Sequence, residues 1–433
     1  MTDRAPRFWL GGPPSRVLAR MRRAGGELVE AKQGIVRSTK GHEFVDLRSG
    51  LWNALCGHGL EDINAAVEKQ LWTMSTGSKL NWDHVPAIAE EYCSVLHDQL
   101  KATASSGSVY PSIGLVQSGS SAVECAVLAS IRYQRQLGLP ERTNVASIAG
   151  SFHGFGIVAG SLSGDASIAA CMGTRWPGAV QLRRPDVQGR IGAEQLVHEL
   201  DELDALTVSA LVLEPICGSD LWTLGPDGLS RLFSLLDERG ILTIADEIAT
   251  GFFRAGSLAH TLACGLSPDI LLLGKNITNG VVPLSAVALS GRVADSIVAS
   301  DEFFPFGSTG DANPLSVAAA LATIRLTMEP SFAAILHRSE AMWRTGLEQA
   351  ASTSAALTGV RSFGHMFVLT IGGAATDSWE DALVLQQMIE AEGAILTVTP
   401  GHMEIYPSIA MSKGVVDLAC GAIRRGVERF TSR

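Results

Sequence analysis

The sequence predicts an α/β protein, with a large domain built on a mainly parallel sheet and a smaller α+β domain beside it. Three observations carry this reading. From residue 113, short and wholly apolar runs alternate with helical segments: IGLVQ, NVASIAG, SALVLEP, ILTIADE, DILLLG and SAVALS. Strands with no polar alternate must be covered on both faces, which is the mark of a parallel sheet between helices. Beyond Pro314 the grammar changes, and short strand-like pieces mix with helices as in an α+β unit. The 45 glycines supply the tight turns and close backbone approaches that such a fold needs.

The elements follow in order. The first thirty residues are rich in Arg, Gly and Pro and form an arm. Two β-branched runs flank Lys40-Gly41 in IVRSTKGHEFVDLRSG and predict a hairpin. Apolar residues recur at helical spacing over Ile63–Met74 and Val85–Leu100. The large domain follows, with a helix over 120–137 after IGLVQ and another over 227–238 after SALVLEP. LSVAAALATIRLTM is a strong helix. The pieces GHMFVLTIG, GAILTV and HMEIYP are strands, and 381–392 and 415–429 are helices. Because the hairpin and these strands flank the large domain, they can share a sheet. The expected division is an arm and part of the small domain over 1–59, a large domain over 60–312 and the rest of the small domain over 313–433.

Composition excludes several function classes. With 34 Lys+Arg against 44 Asp+Glu, the net charge is −10, the wrong sign for a surface that neutralises phosphates along a nucleic acid. No run of about 18 uncharged apolar residues predicts a spanning helix, and the N-terminus lacks an apolar signal core. A cytoplasmic protein is expected. Seven scattered cysteines, no two within four residues, exclude a disulfide framework and a CxxC zinc site. They read as buried free thiols. The ten histidines are scattered as well, so no metal site is expected.

Four places can carry chemistry. Lys275 ends DILLLGK, and the carboxyl ends of strands in such sheets form the ligand crevice. Desolvation there lowers a lysine's pKa and makes it an imine-forming nucleophile, unless it merely caps the strand in solvent. Asp246 and Glu247 end ILTIADE one strand earlier. A carboxylate at that point can keep a pyridinium nitrogen protonated and the ring an electron sink, or it can be a cap or ion-pair partner. Ser118-Gly119-Ser120-Ser121 opens a helix after IGLVQ. Such a turn offers N–H groups and hydroxyls to an anion. It is equally a plain N-cap, with Glu124 near enough for a capping box. Phe152 and His153 follow NVASIAG, where a flat side chain can stack on a cofactor ring or simply fill the core. The run Gly154–Gly160 is one residue too long for a dinucleotide fingerprint, and no acidic residue ends a strand about twenty residues on. No GxSxG elbow occurs.

Taken together, ADEIATGFFRAG (245–256), SPDILLLGK (267–275), SGSSAVE (118–124), FHG (152–154), LEP (213–215) and GSTGDANPL (307–315) stand in an order that resembles the class III aminotransferases. These are fold-type I pyridoxal-phosphate enzymes. The likeness runs from about residue 45 to the C-terminus, and the 245–256 run is most similar to that of diaminopelargonate aminotransferases. The resemblance implies a seven-stranded large-domain sheet, pyridoxal phosphate as cofactor, transamination by ping-pong chemistry, and a homodimer with active sites at the subunit interface. It also implies roles. Lys275 is the Schiff-base lysine and Asp246 the partner of the pyridine nitrogen. Ile248 and Phe152 flank the ring, with His153 beside them. Gly119, Ser120 and Ser121 hold the phosphate, and Thr309 reaches it from the neighbouring subunit. Glu214 is the active-site glutamate, and Trp52 lines the substrate pocket.

The sequence also departs from that family. The usual carboxylate-binding arginine falls at Thr397 in GAILTVTPG, and no arginine lies between Arg361 and Arg424. Threonine cannot replace a bidentate guanidinium, so the expected substrate is an amine without that carboxylate, such as an amino sugar, an aminocyclitol or another amine of specialised metabolism. Arg7 or Arg16 of the arm is the remaining source of a clamp. Phe253 stands where the family has glycine. Phe155 stands where the diaminopelargonate enzymes have an acidic substrate contact, which argues against that activity. With Trp52, Phe303, Phe304 and Phe306, Phe155 can line an aromatic pocket or be simple packing. Epimerase, aminomutase and decarboxylase chemistry on the same scaffold share the lysine and aspartate and stay open. An inactive, cofactor-binding regulatory subunit would be expected to have lost one of the two.

Overall fold

The computed structural model describes residues 27–80, 83–104, 109–164, 168, 171–203, 205–298, 300–372 and 378–433. Most of the arm, with Arg7 and Arg16, lies outside the described residues.

Strands β1 (Leu28–Lys32), β2 (Ile35–Ser38) and β3 (Glu43–Asp46) form an antiparallel run. The Lys40-Gly41 turn joins β2 to β3 as expected, with Gly41 at φ +79°, a conformation glycine adopts freely. Helices Glu61–Thr73 and Ala87–Thr103 stand where the periodicity places them.

The large sheet has seven strands: β4 (Ser112–Val116), β5 (Asn144–Ile148), β6 (Ala179–Leu182), β7 (Val208–Leu213), β8 (Leu242–Glu247), β9 (Ile270–Leu273) and β10 (Ser285–Leu289). Their order is β4-β10-β9-β8-β7-β5-β6. The β5–β6, β5–β7, β7–β8 and β8–β9 pairs are parallel. Strand β10 (SAVAL) runs antiparallel to both β4 and β9. Its apolar composition hides this, because a strand covered on both faces reads the same in either direction. A short 3-10 turn at Lys275–Thr278 is the only element between β9 and β10, whereas a parallel return needs a longer crossover. Strand β6 escaped the sequence reading because it is a short edge strand with half-buried positions.

Both faces of this sheet are packed. Ile270 and Leu272 join one core with Val116 and Val127. Leu271 and Leu273 join another with Tyr92 and Leu115. All four of these β9 residues are 0% exposed, and burying each such side chain is worth roughly 1.5–3 kcal/mol. This packing gives the carboxyl ends of β8 and β9 a rigid base.

The smaller α+β unit contains an antiparallel sheet of β11 (Leu357–Phe363), β12 (Met366–Ile371), β14 (Thr397–Thr399) and β15 (His402–Ile405), in the order β11-β12-β15-β14. Between them in the chain, β13 (Ala394–Ile395) leaves that sheet and pairs parallel with β3. The GAILTV run is thus divided at Leu396, and only its first half shares a sheet with the N-terminal hairpin. The Phe332–Ser352 helix and β11 were not read from the sequence. Trp343 and Leu347 of that helix pack with Leu385 and Ile423. All seven cysteines are free. Four are buried, Cys93 and Cys264 are half-buried, and Cys171 is exposed, so the buried-thiol expectation holds for part of the set.

Candidate active site

Strand register brings the chemistry together. Parallel pairing sets Asp246 against Leu272 and Glu247 against Leu273, and Lys275 follows two residues later. The strand alternation then sends the two carboxylates to different tasks. Glu247, 0% exposed, accepts bonds from His260 N (2.6 Å), Thr261 N (2.8 Å), Thr261 Oγ1 (2.6 Å) and Thr250 Oγ1 (3.0 Å). It ties β8 to the segment behind it. Asp246 lines a cavity of about 340 Å³ on the other side. Its Oδ2 lies 2.8 Å from His153 Nδ1, and its Oδ1 accepts from Ile248 N at 3.2 Å.

Lys275 enters the same cavity. Its backbone is at φ +45°, a conformation costing a residue with a side chain about 1–3 kcal/mol and found most often at functional sites. The protein packed around its amine pushes the pKa below the ordinary lysine value. Glu214 and Asp246 oppose that shift, and Arg254 adds to it. Lys275 Nζ lies 4.3 Å from the Trp52 ring centroid, within cation–π range. Trp52 stacks on Tyr406 with centroids 4.3 Å apart and planes 12° from parallel.

The helix Gly119–Gln136 points its N-terminus at the cavity, where Gly119 and Ser120 form part of the wall. Ser118 Oγ accepts from Ser121 N at 3.1 Å, so the plain-cap reading holds, with Ser121 rather than Glu124 as partner. The remaining first-turn N–H groups have no intrahelical acceptor and suit an anion. Gly154 shows how close the walls are. It sits at φ +123°, and a Cβ there would come 2.3 Å from Ser120 Oγ.

Glu214, 6% exposed, accepts from Phe152 N (2.9 Å) and Gly218 N (3.1 Å). Burial raises its pKa; His153 opposes that shift and Asp246 adds to it. The exposed Phe152 and Phe155 rings meet edge to face at 5.2 Å. Trp52, Phe152, His153, Phe155 and Ile248 all line the cavity. Ser121, Thr309 and Thr397 do not. Ser121 completes the cap, Thr309 is exposed in the loop after Ser308, and Thr397 is half-buried on β14. Phe304 and Phe306 pack against the large-domain core.

Sequence reasoning missed Tyr406, which supports Trp52, and Arg254. The latter is 0% exposed and donates to Pro407 O (2.8 Å) and His365 O (3.3 Å). Burial lowers its pKa to about 10. An arginine inside the apolar 245–256 run was the available signal. The neighbouring Phe253 adopts φ +66°, which explains why glycine suits that place in the family.

These residues fit pyridoxal phosphate. The cavity offers a lysine with a lowered pKa, a buried carboxylate, a helix N-terminus and flat walls from Phe152 and Ile248. Buried His153 Nε2 has no hydrogen-bond partner among the described residues.

Comparison with known proteins agrees. The chain is 28% identical over 437 residues to an omega-aminotransferase of Caulobacter vibrioides, covering 96% of each protein. It is 31% identical over 324 residues to an adenosylmethionine-8-amino-7-oxononanoate aminotransferase of Corynebacterium glutamicum, covering 71% of this chain and 72% of that one. Its fold matches the crystal structure of a pyridoxal-phosphate-bound amine transaminase from an uncultivated Pseudomonas species, with a TM-score of 0.88 and 23% identity over 99% of this chain and 100% of that one. The sequence profile of the class-III aminotransferases covers residues 22–427, and the chain belongs to that family of pyridoxal-phosphate-dependent enzymes.

Proposed function

We propose that this aminotransferase moves the amino group of a primary amine lacking an α-carboxylate to a ketone or aldehyde, in two alternating half-reactions. Amino sugars, aminocyclitols and other amines of specialised metabolism fit that description. The observation that carries the reading is Thr397. It stands where the resemblance expects a carboxylate-binding arginine, and no arginine lines the cavity among the described residues. Arg254 is committed to backbone carbonyls. The similar omega-aminotransferase is consistent with an amine that carries no carboxylate on the reacting carbon.

When bound, pyridoxal phosphate supplies the aldehyde that takes up the amine and the ring that withdraws electrons. The chain's residues do the rest. Lys275 Nζ would hold the cofactor through its aldehyde. Its lowered pKa favours the free amine, which would accept the proton from the substrate carbon that bears nitrogen and later return it. Asp246, oriented by His153 and Ile248 N, would keep the ring nitrogen protonated. Gly119 and Ser120 would receive the phosphate at the helix start, with Ser121 closing the cap beside them. Phe152 and Ile248 flank the ring and fix its orientation. Trp52 and Phe155 would bound the substrate, Thr397 stands beyond the cavity wall on β14, and Glu214 stays tied to Phe152 N and Gly218 N. We assign Thr309 to the neighbouring subunit's phosphate site in a cytoplasmic homodimer.

A screen of amine donors tests this by following loss of the cofactor's visible absorbance for each amine. The expected result is turnover of amines without a carboxylate. A strong preference for ordinary α-amino acids with their carboxylates intact would defeat the Thr397 argument.

A further inference from the structure

Opposite Thr397 the fold places an acid. In the β14–β15 pairing, Thr397 faces Glu404. The same row continues through Val368 of β12 to Arg361 of β11. Cross-strand partners share a face. The flanking residues Met403 and Ile405 belong to the core behind the sheet, so the Glu404 row lies on the other face. That face meets the active-site loop, because His402 Nε2 lies 2.9 Å from Ser219 O and Val368 packs with Trp52 and Tyr406. Tyr406 follows β15 directly, two residues beyond Glu404, and packs with Val368 of the Glu404 row, which places it on that face. Tyr406 stacks on Trp52, and the Lys275 amine lies over Trp52. Glu404 therefore sits beside the aromatic pair over which Lys275 lies.

Glu404 is 5% exposed, and no hydrogen bond or ion pair reaches its carboxyl from the described residues. The nearby cations are committed or distant. Arg184 pairs with Asp220, Arg254 with backbone carbonyls, and Arg361 stands exposed two strands away, roughly 10 Å by sheet spacing. The face presents an unpartnered acid where the family's arginine is missing. An unmatched buried carboxyl is costly to keep, and a cationic group entering the site would neutralise it. Burial holds the proton on this carboxyl, and a positive charge at Lys275 would favour its release, so an ammonium group of the substrate placed nearby would act in the same sense.

We propose that Glu404 is a specificity-determining residue that binds a second ammonium group on the substrate, so that the preferred donors are diamines. This rests on the aminotransferase reading of Lys275 and deepens it.

The test uses the holoenzyme, with butylamine, aminobutanol and putrescine as matched four-carbon donors and one common keto acceptor. The expected wild-type preference for putrescine over butylamine in kcat/KM is roughly 10- to 100-fold, the span of one charge-assisted hydrogen bond. Glu404→Gln should collapse that ratio. Glu404→Asp, which keeps the charge but retracts it, should restore part of it. Tetramethyl-putrescine cannot form an imine and should inhibit the wild type competitively. Its inhibition constant should rise by a similar factor in Glu404→Gln. A ratio unchanged by Glu404→Gln, or a wild type favouring aminobutanol, overturns the proposal while leaving transamination intact. A wild type that binds pyridoxal phosphate but turns over no amine overturns the parent reading and this one together.

Discussion

Replacing Glu404 with glutamine should relieve a pH-dependent strain on the fold. Burial raises the Glu404 pKa from 4.5 to about 8, with Asp220 adding to the effect and Lys275 opposing it. His402, Tyr406 and Arg361 are the other titratable groups on that face, and Lys275 and Asp220 approach it from the opposing loops. In the unfolded chain the carboxyl ionises near its ordinary value. At intermediate pH the unfolded chain has therefore released a proton that the folded chain keeps. Stability from this group is complete below pH 4.5 and is lost as pH rises through about 8. At about 1.4 kcal/mol per pH unit, the loss reaches roughly 3 kcal/mol at pH 7 and roughly 5 kcal/mol well above pH 8. Glutamine cannot ionise and escapes it. Thermal midpoints of wild type and Glu404→Gln, measured at pH 5 and pH 8, read the effect. The gap should open by several degrees in favour of the variant as the pH rises. A gap that does not change between the two pH values, or that moves against glutamine, refutes the reasoning.

Lys275→Ala should abolish the visible band of the bound cofactor and lower transamination by roughly 10³-fold or more, as checked by absorbance, mass spectrometry and turnover. His153→Ala removes the donor 2.8 Å from Asp246 and leaves that carboxylate under-satisfied. It should cost about 1.5–3 kcal/mol of stability and speed cofactor loss, measured by thermal melting and dilution. Gly154→Ala forces a side chain into φ +123° and against Ser120 Oγ. It should cost at least about 1–3 kcal/mol and raise the dissociation constant for pyridoxal phosphate in an equilibrium titration.

The large sheet was legible because its strands are apolar on both faces, and only packing between helices explains such runs. The ends of those strands exposed Asp246 and Lys275 as well, since a charge that closes an apolar strand must lie at its edge. Direction was not legible. β10 carries the same residues as a parallel strand, and only the short link through Lys275–Thr278 reverses it. Strand spacing alone could not separate Asp246 from Glu247, which differ in the face they take; the family resemblance chose Asp246. Glu404 was invisible because its meaning lies in a pairing with Thr397 across a hairpin. Arg254 and Tyr406 support the site from behind, where local sequence shows only a charge and a ring among apolar neighbours.

The strand ends that bear Asp246 and Lys275 and the hairpin that bears Thr397 and Glu404 belong to different sheets. On the roles proposed above, bond-making would be anchored in one slab of the molecule and discrimination among customers in another. Swapping residues 397–405 for a relative's version would then retune appetite without disturbing the engine, and drift in that hairpin would give evolution a dial for new amines.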